Sequence, residues 1–290
     1  MRPERLGRLA GGLGVAVNVV LSVLKIVIGI VAQAQVLLAD GLHNLADVGA
    51  SLAVAIGVRV GHVPPDFEHP YGHQKAESVA AKIVGILLLL AGVEIFYESA
   101  KALYVGHQPV PGLIAAYVAG ISLVLKEGMV WLSQRAADLN HSKALRASVV
   151  DHRMDVFGSV AALAGILLAR TVATYFDPLL AMIVSLLVIY SGWELVNQAV
   201  ADLMDRFDDR ALLDALRGDA VARHEVRRVN GIRGRYMGAQ VLVDMEIAVR
   251  GDLTVRAGHD VATDVKEAIM AHHPEVVAVH VHVNPEDEAE

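Results

Sequence analysis

The 290-residue chain contains no cysteine. Disulfides and thiolate metal sites are therefore excluded, and any metal it holds is bound through nitrogen and oxygen. Aromatic residues are scarce at 5 %, whereas hydrophobic residues reach 54 %, above the ~45–50 % of a typical soluble chain. The apolarity is thus aliphatic, as on a bilayer-facing surface. An excess of positive charge is also lacking. A net charge of −7 and a pI of about 6.0 argue against a nucleic-acid binder, which carries a basic face. The N-terminal Met1-Arg2-Pro3-Glu4-Arg5 runs into apolar sequence without a small-residue cleavage site, and reads as a retained first span, not a signal peptide.

A spanning helix needs ~20 mostly apolar residues. Six windows qualify, at about 11–31, 35–60, 79–101, 112–133, 148–171 and 178–202. After Leu203 charged and apolar positions alternate and no window is long enough to span. The expected division is a membrane domain over 1–205 and a soluble domain over 206–290. Lys and Arg set orientation. Arg2, Arg5, Arg8, Arg59, Lys75, Arg135, Lys143 and Arg146 lie toward one side, and the opposite loops are poor in charge. Both termini and the soluble domain are therefore expected on the cytoplasmic side.

In the soluble part the patterns predict a helix at about 208–223, a strand pair that includes 240–247, a helix at 256–272 and a last strand at 276–283. The expected fold is an all-α six-helix transmembrane bundle followed by a cytoplasmic α+β domain of the ferredoxin-like kind.

Span two carries Asp40, His43, Asn44 and Asp47; span five carries Asp151, His152, Arg153 and Asp155. An ionised group at the bilayer centre costs roughly 2.5–3.5 kcal/mol on insertion scales, so such residues turn to a cavity or a partner. Helix-end polarity or interhelical hydrogen bonding accounts for one such acid. It accounts less well for two pairs, His43 with Asp47 and Asp151 with Asp155, each spaced by four. That spacing puts each pair on one helix face, Cβ atoms ~5–6 Å apart. Two pairs on neighbouring helices can close a tetrahedral metal site. One imidazole and three carboxylates suit Zn, Mn, Fe or Co better than Cu(I). Binding expels protons from such ligands, a simple basis for metal/proton exchange. Asp40 reads as an accessory acid or outer-mouth ligand, and Asn44 as a hydrogen-bond partner behind the ligands. His152 is expected in packing or at the surface.

The segment 38–52, Leu-Ala-Asp-Gly-Leu-His-Asn-Leu-Ala-Asp-Val-Gly-Ala-Ser-Leu, resembles the second span of the cation diffusion facilitator family. The stretch 66–78, Asp-Phe-Glu-His-Pro-Tyr-Gly-His-Gln-Lys-Ala-Glu-Ser, resembles its loop signature before span three, and 142–155 and 259–285 fit as well. The resemblance covers nearly the whole chain. It implies a homodimeric exporter in a bacterial inner or organelle membrane that exchanges cytosolic divalent metal for protons by alternating access. The implied transport quartet is His43, Asp47, Asp151 and Asp155. Zinc-type members commonly have His-Asp in both helices, and manganese-type members have Asn or Asp in place of the histidines. With one helix of each kind, Zn and Mn both stay open, and Fe and Co behind them.

Asp66, His69 and His73 have the spacing of a small loop metal site, or of simple loop capping. The resemblance implies metal ligands in the soluble domain at Asp244, His259 and His282, with His280 on the same strand face as an alternative. Asn284 and Arg233 depart from the family pattern and imply a reduced cytoplasmic cluster. His272 and His273, at a helix end, are expected to face solvent. Lys75 and Asp205 are expected to form a charge link between the domains. No prosthetic group is expected: divalent metal is substrate and regulatory ligand, the other partners being protons, the lipid bilayer and a second copy, and no nucleic acid. A membrane enzyme would show a His-rich box or a His-Glu-x-x-His helix, and the chain has neither. A metal channel and a non-transporting sensor or scaffold are the remaining rivals; dependence on a proton gradient separates out the first and flux the second.

Overall fold

The computed structural model describes residues 3–61, 63–64, 66–106, 109–140, 143–237 and 240–286; within these, the side chains of 3–11, 54, 57–58, 61, 137–140, 143–148, 150–151 and 154 lie outside the description. Six long helices come first: α1 (Pro3–Val31), α2 (Gln35–Gly61), α3 (Ala76–Val105), α4 (Leu113–Asn140), α5 (Lys143–Thr171) and α6 (Phe176–Leu203). They are followed by α7 (Arg210–Val221), β1 (Arg228–Met237), β2 (Gln240–Val249), α8 (Val255–His272) and β3 (Val276–Pro285). The chain forms two compact units, Met1–Ala55 with Ala80–Asn197, and Ile56–Val79 with Gln198–Glu290.

Among the described residues four stretches are long and apolar enough to cross a membrane: Gly12–Val31, Ala76–Val105, Leu113–Ala136 and Phe176–Leu203. They belong to α1, α3, α4 and α6. The candidate ligands stand on α2 and α5, two helices that include residues outside the description. Large aliphatic side chains such as Val20, Leu90, Val124 and Ile183 stand exposed on the first four, as lipid-facing positions do.

The interior of the first unit is built from small and branched residues, among them Ala34, Leu37, Ala119, Ala162, Ile166 and Val184. Lipid tails are as apolar as leucine, so close backbone approach matters more here than hydrophobic exclusion. α3 and α6 meet at Gly85 and Gly192: a Cβ on Gly192 would stand 2.9 Å from Leu89 N and 3.0 Å from the Gly85 carbonyl. The start of α2 is capped from α6. Asp177 accepts from Gln35 N at 2.8 Å through Oδ2 and from Val36 N at 3.3 Å through Oδ1. Free N–H groups of a first helical turn call for such an acceptor.

In the second unit the strand order is β1-β2-β3, with β1 antiparallel and β3 parallel to β2. The sequence α7-β1-β2-α8-β3 is the α-β-β-α-β part of the ferredoxin-like order. Asp209 caps α7 through Leu212 N and Thr254 caps α8 through Ala257 N. On β2, Val241, Val243, Met245 and Ile247 are buried with Leu216, Ala220, Val265 and Ile269 of the helices. Alternation along a strand sends the intervening residues, Asp244 and Glu246 included, to the opposite face.

Candidate metal centre

Four helices of the first unit bring polar side chains to one buried place. Asp40 and His43 come from α2, Asp155 and Ser159 from α5, Asn18 and Lys25 from α1, Ser122 and Lys126 from α4; both lysines are 0 % exposed. Asp155 is the hub. Its Oδ2 accepts from Lys126 Nζ at 2.6 Å, and its Oδ1 lies 3.8 Å from His43 Nε2. Lys126 also donates to Asn18 Oδ1 at 2.7 Å. Asp40 forms a second pair, with Oδ2 2.6 Å from Lys25 Nζ. Ser159 Oγ donates to Asp40 at 3.3 Å, accepts from Lys25 at 3.0 Å and lies 3.3 Å from Ser122 Oγ. The close approach of α5 to α2 depends on Gly158, where a Cβ would stand 3.1 Å from Asp40 Oδ1.

Of the quartet, the structure brings His43 and Asp155 together. Asp47 follows one turn along α2 and is half-buried. Asp151 stands on α5 one turn before Asp155, and its side chain lies outside the described residues. Asn44 is fully buried, and neither of its amide atoms is hydrogen-bonded among the described residues. His152, expected in packing or at the surface, is buried at 9 % exposure, and its Nδ1 lies 3.7 Å from Asp155 Oδ2, because residues three apart share a helix face as residues four apart do.

Lys25, Lys126, Asn18, Ser122 and Ser159 join the cluster without having stood out in the sequence. A signal was present: a lysine in the middle of an otherwise aliphatic span is as costly as an acid and needs a partner just as much.

In the second unit Asp66, His69 and His73 converge. Asp66 Oδ1 lies 3.2 Å from His69 Nδ1 and Oδ2 lies 3.5 Å from His73 Nε2, with one ligand atom of each within 4.8 Å of the others. The backbone N–H of His69 donates to Asp66 Oδ1 at 2.6 Å. That bond, and then the two imidazoles, hold the Asp66 carboxyl below the ordinary carboxylate value. Among the described residues this is the one such group of three or more His, Asp or Glu residues. Beside it lies a cavity of about 380 Å³ lined by His69, Tyr71, Lys75, Asp205 and Arg235 among others. Lys75 Nζ meets Asp205 Oδ1 at 2.7 Å, both side chains being about two-fifths exposed (40 % and 44 %). Asp205 has φ +57°, a conformation Asp tolerates better than most residues.

On the helix-free face of the sheet, Asp244 is in register with His280 and Glu246 with His282, and Arg233 of β1 completes the first row. His259 stands exposed on α8, which packs on the other face. Within one chain, then, Asp244, His259, His280 and His282 form no cluster among the described residues. His272 and His273 are not simply turned to solvent. Nδ1 of the former and Nε2 of the latter both lie 3.0 Å from Asp219 Oδ2 on α7. Burial pushes the Asp219 carboxyl upward, but the two imidazoles outweigh it and hold the group below its ordinary value.

A bundle of apolar helices around buried acids and an imidazole, followed by a small α+β domain, defines a membrane carrier of metal cations. Residues 13–204 match the family description of a cation efflux transmembrane domain, and 209–286 that of a cation efflux protein cytoplasmic domain. The chain belongs to the cation efflux, or cation diffusion facilitator, family; it is a metal transporter and not an enzyme. Among similar proteins of Bacillus subtilis (strain 168), the uncharacterized transporter YdbO is 35 % identical over 288 residues, covering 99 % of each chain. The manganese efflux system protein MneP is 33 % identical over 289 residues, covering 97 % of each. Its counterpart MneS is 31 % identical over 271 residues, covering 93 % of each.

Proposed function

We propose that the protein exports a divalent cation, Mn²⁺ ahead of Zn²⁺, in exchange for protons, through a site made of His43, Asp47, Asp151 and Asp155. The observation that carries this reading is the 3.8 Å approach of His43 Nε2 to Asp155 Oδ1 inside the bundle. Ligands ~2.0–2.2 Å from an ion at tetrahedral angles stand ~3.4 Å apart, so the two atoms are close to the spacing of neighbours on one ion. Asp47 and Asp151 join them by their one-turn offset. Three carboxylates favour Mn²⁺ and the imidazole favours Zn²⁺; the names of MneP and MneS support testing Mn²⁺ first. Metal ligands must be deprotonated to bind, so metal arriving and protons leaving are one event. Exposure of the site to alternate sides then couples the two flows.

The excess of Lys and Arg in one set of loops supports a cytoplasmic position for both termini. The domain from about residue 206 onward pairs two copies and gives Asp244, His280, His282 and His259 a shared role as regulatory ligands supplied across the pair. Asp66, His69 and His73 form an accessory loop site, and the Lys75–Asp205 pair fixes that loop beside it.

The test is Mn²⁺ uptake by proteoliposomes under an imposed pH gradient. The parent takes up metal and dissipates the gradient, whereas His43→Ala and Asp155→Ala, folded and reconstituted equally, do neither. If both variants transport as the parent does, the site assignment fails.

A further inference from the structure

Lys126 has no exposed surface and ends at the hub of the candidate site. It donates to Asp155 Oδ2 at 2.6 Å and to Asn18 Oδ1 at 2.7 Å. The other carboxylate oxygen, Oδ1, faces His43. A carboxylate can give a metal one oxygen or two; here one of the two is already held by an ammonium. We propose that Lys126 is a specificity-determining positioning residue, which restricts Asp155 to one-oxygen coordination and thereby keeps the transport site at low coordination number. This rests on the proposed quartet.

Charge supports the same assignment. With His43 neutral, the quartet carries three negative charges, and Lys126 brings the set to minus two, which one divalent ion cancels. Uncompensated charge grows costlier as the dielectric falls, so a site neutral when filled suits the interior of a bundle. The Lys25–Asp40 pair cancels internally and leaves that tally unchanged. Four-coordinate sites suit Zn²⁺, whereas Ca²⁺ takes six to eight oxygens, carboxylates often serving with both. Freeing Oδ2 therefore tilts the site toward larger, oxygen-seeking ions.

The experiment measures KM and maximal rate for Mn²⁺, Zn²⁺ and Ca²⁺ in proteoliposomes with the parent, Lys126→Met, Lys126→Arg, Asn18→Leu and Asp155→Ala. Disturbing a group behind a ligand changes metal affinity by ~10–100-fold. In Lys126→Met the KM ratio of Zn²⁺ to Mn²⁺ is expected to rise by that order, with Ca²⁺ becoming a competitor. Lys126→Arg, which still holds Oδ2, keeps the parental ratio, and Asn18→Leu, which loosens the lysine, moves it in the same direction by less. Loss of stability alone would lower the maximal rate for all ions and leave the ratio in place. If Lys126→Met does not fold, Asn18→Leu against Lys126→Arg decides. Parental ratios in Lys126→Met and Asn18→Leu, with Asp155→Ala inactive, overturn the assignment of Lys126 and leave the quartet standing. An Asp155→Ala protein as active as the parent removes the quartet itself.

Discussion

His43 on α2 and Asp155 on α5 face each other at 3.8 Å inside the helical unit, and this contact joins the two helices that carry the candidate ligands. Lys25 on α1 and Lys126 on α4 supply counter-charge to Asp40 and Asp155. Stability alone is served at least as well by apolar packing, which supports the proposal that these buried polar groups serve the cargo.

On the proposed quartet, the metal preference depends on His43 in particular. His43→Asn replaces the one imidazole of the quartet with an oxygen-offering amide. Mn²⁺ transport is expected to survive, while Zn²⁺ transport falls by at least the ~10–100-fold seen when a group behind a ligand is disturbed. Competition between the two ions in a flux assay measures this, and an unchanged Zn²⁺/Mn²⁺ ratio contradicts it.

The Lys25–Asp40 pair is expected to act through stability. Asp40→Ala leaves a fully buried ammonium without its carboxylate, a loss of ~3–5 kcal/mol for a broken buried pair. The double variant Lys25→Met/Asp40→Leu replaces both charges with apolar groups and recovers most of that loss. Thermal unfolding of the purified protein in detergent separates these outcomes; an Asp40→Ala protein as stable as the parent removes the pair from the account.

Asp177 caps α2 from a distance of more than 140 residues in sequence. Asp177→Ala is expected to cost ~1–2 kcal/mol, the usual worth of an N-cap, and Asn in its place less. The unfolding temperature of each variant reports the difference.

Asp219 clips α7 to the end of α8 through His272 and His273. Its carboxyl is held below the ordinary value, and a depressed folded-state value means the clip is present above the unfolded value of ~3.9. It is lost as pH falls through the lower, folded one. Asp219→Asn should therefore loosen α7 and α8 by ~1 kcal/mol near neutral pH and make no difference near the acid limit. Hydrogen exchange of the two helices across that pH range measures it.

Much of this was legible in the sequence for physical reasons that can be named. The apolar runs of α1, α3, α4 and α6 and the alternation of β2 are local patterns, and a helix or strand shows them on its own. The one-turn spacing of His43 with Asp47, and of Asp151 with Asp155, is equally local. The partners of those acids are not. Lys126 meets Asp155 across 29 residues and Asn18 across 108, pairings that follow from helix packing and leave no periodic trace. For His152 burial was one of two open alternatives, and its approach to Asp155 follows from a three-residue offset that is itself local. The sheet register, which sets Asp244 beside His280 while His259 stands on α8, likewise depends on strand pairing that one chain's sequence does not display.

The most direct measurement is metal-driven proton movement in proteoliposomes. Vesicles carrying the parent and a trapped pH indicator receive Mn²⁺ on one side, and metal entry and internal pH are followed together. Mn²⁺ entry and proton exit are expected to rise together in the parent and vanish together in Asp155→Ala. Mn²⁺ entry without any proton movement, or entry that persists undiminished in Asp155→Ala, contradicts it.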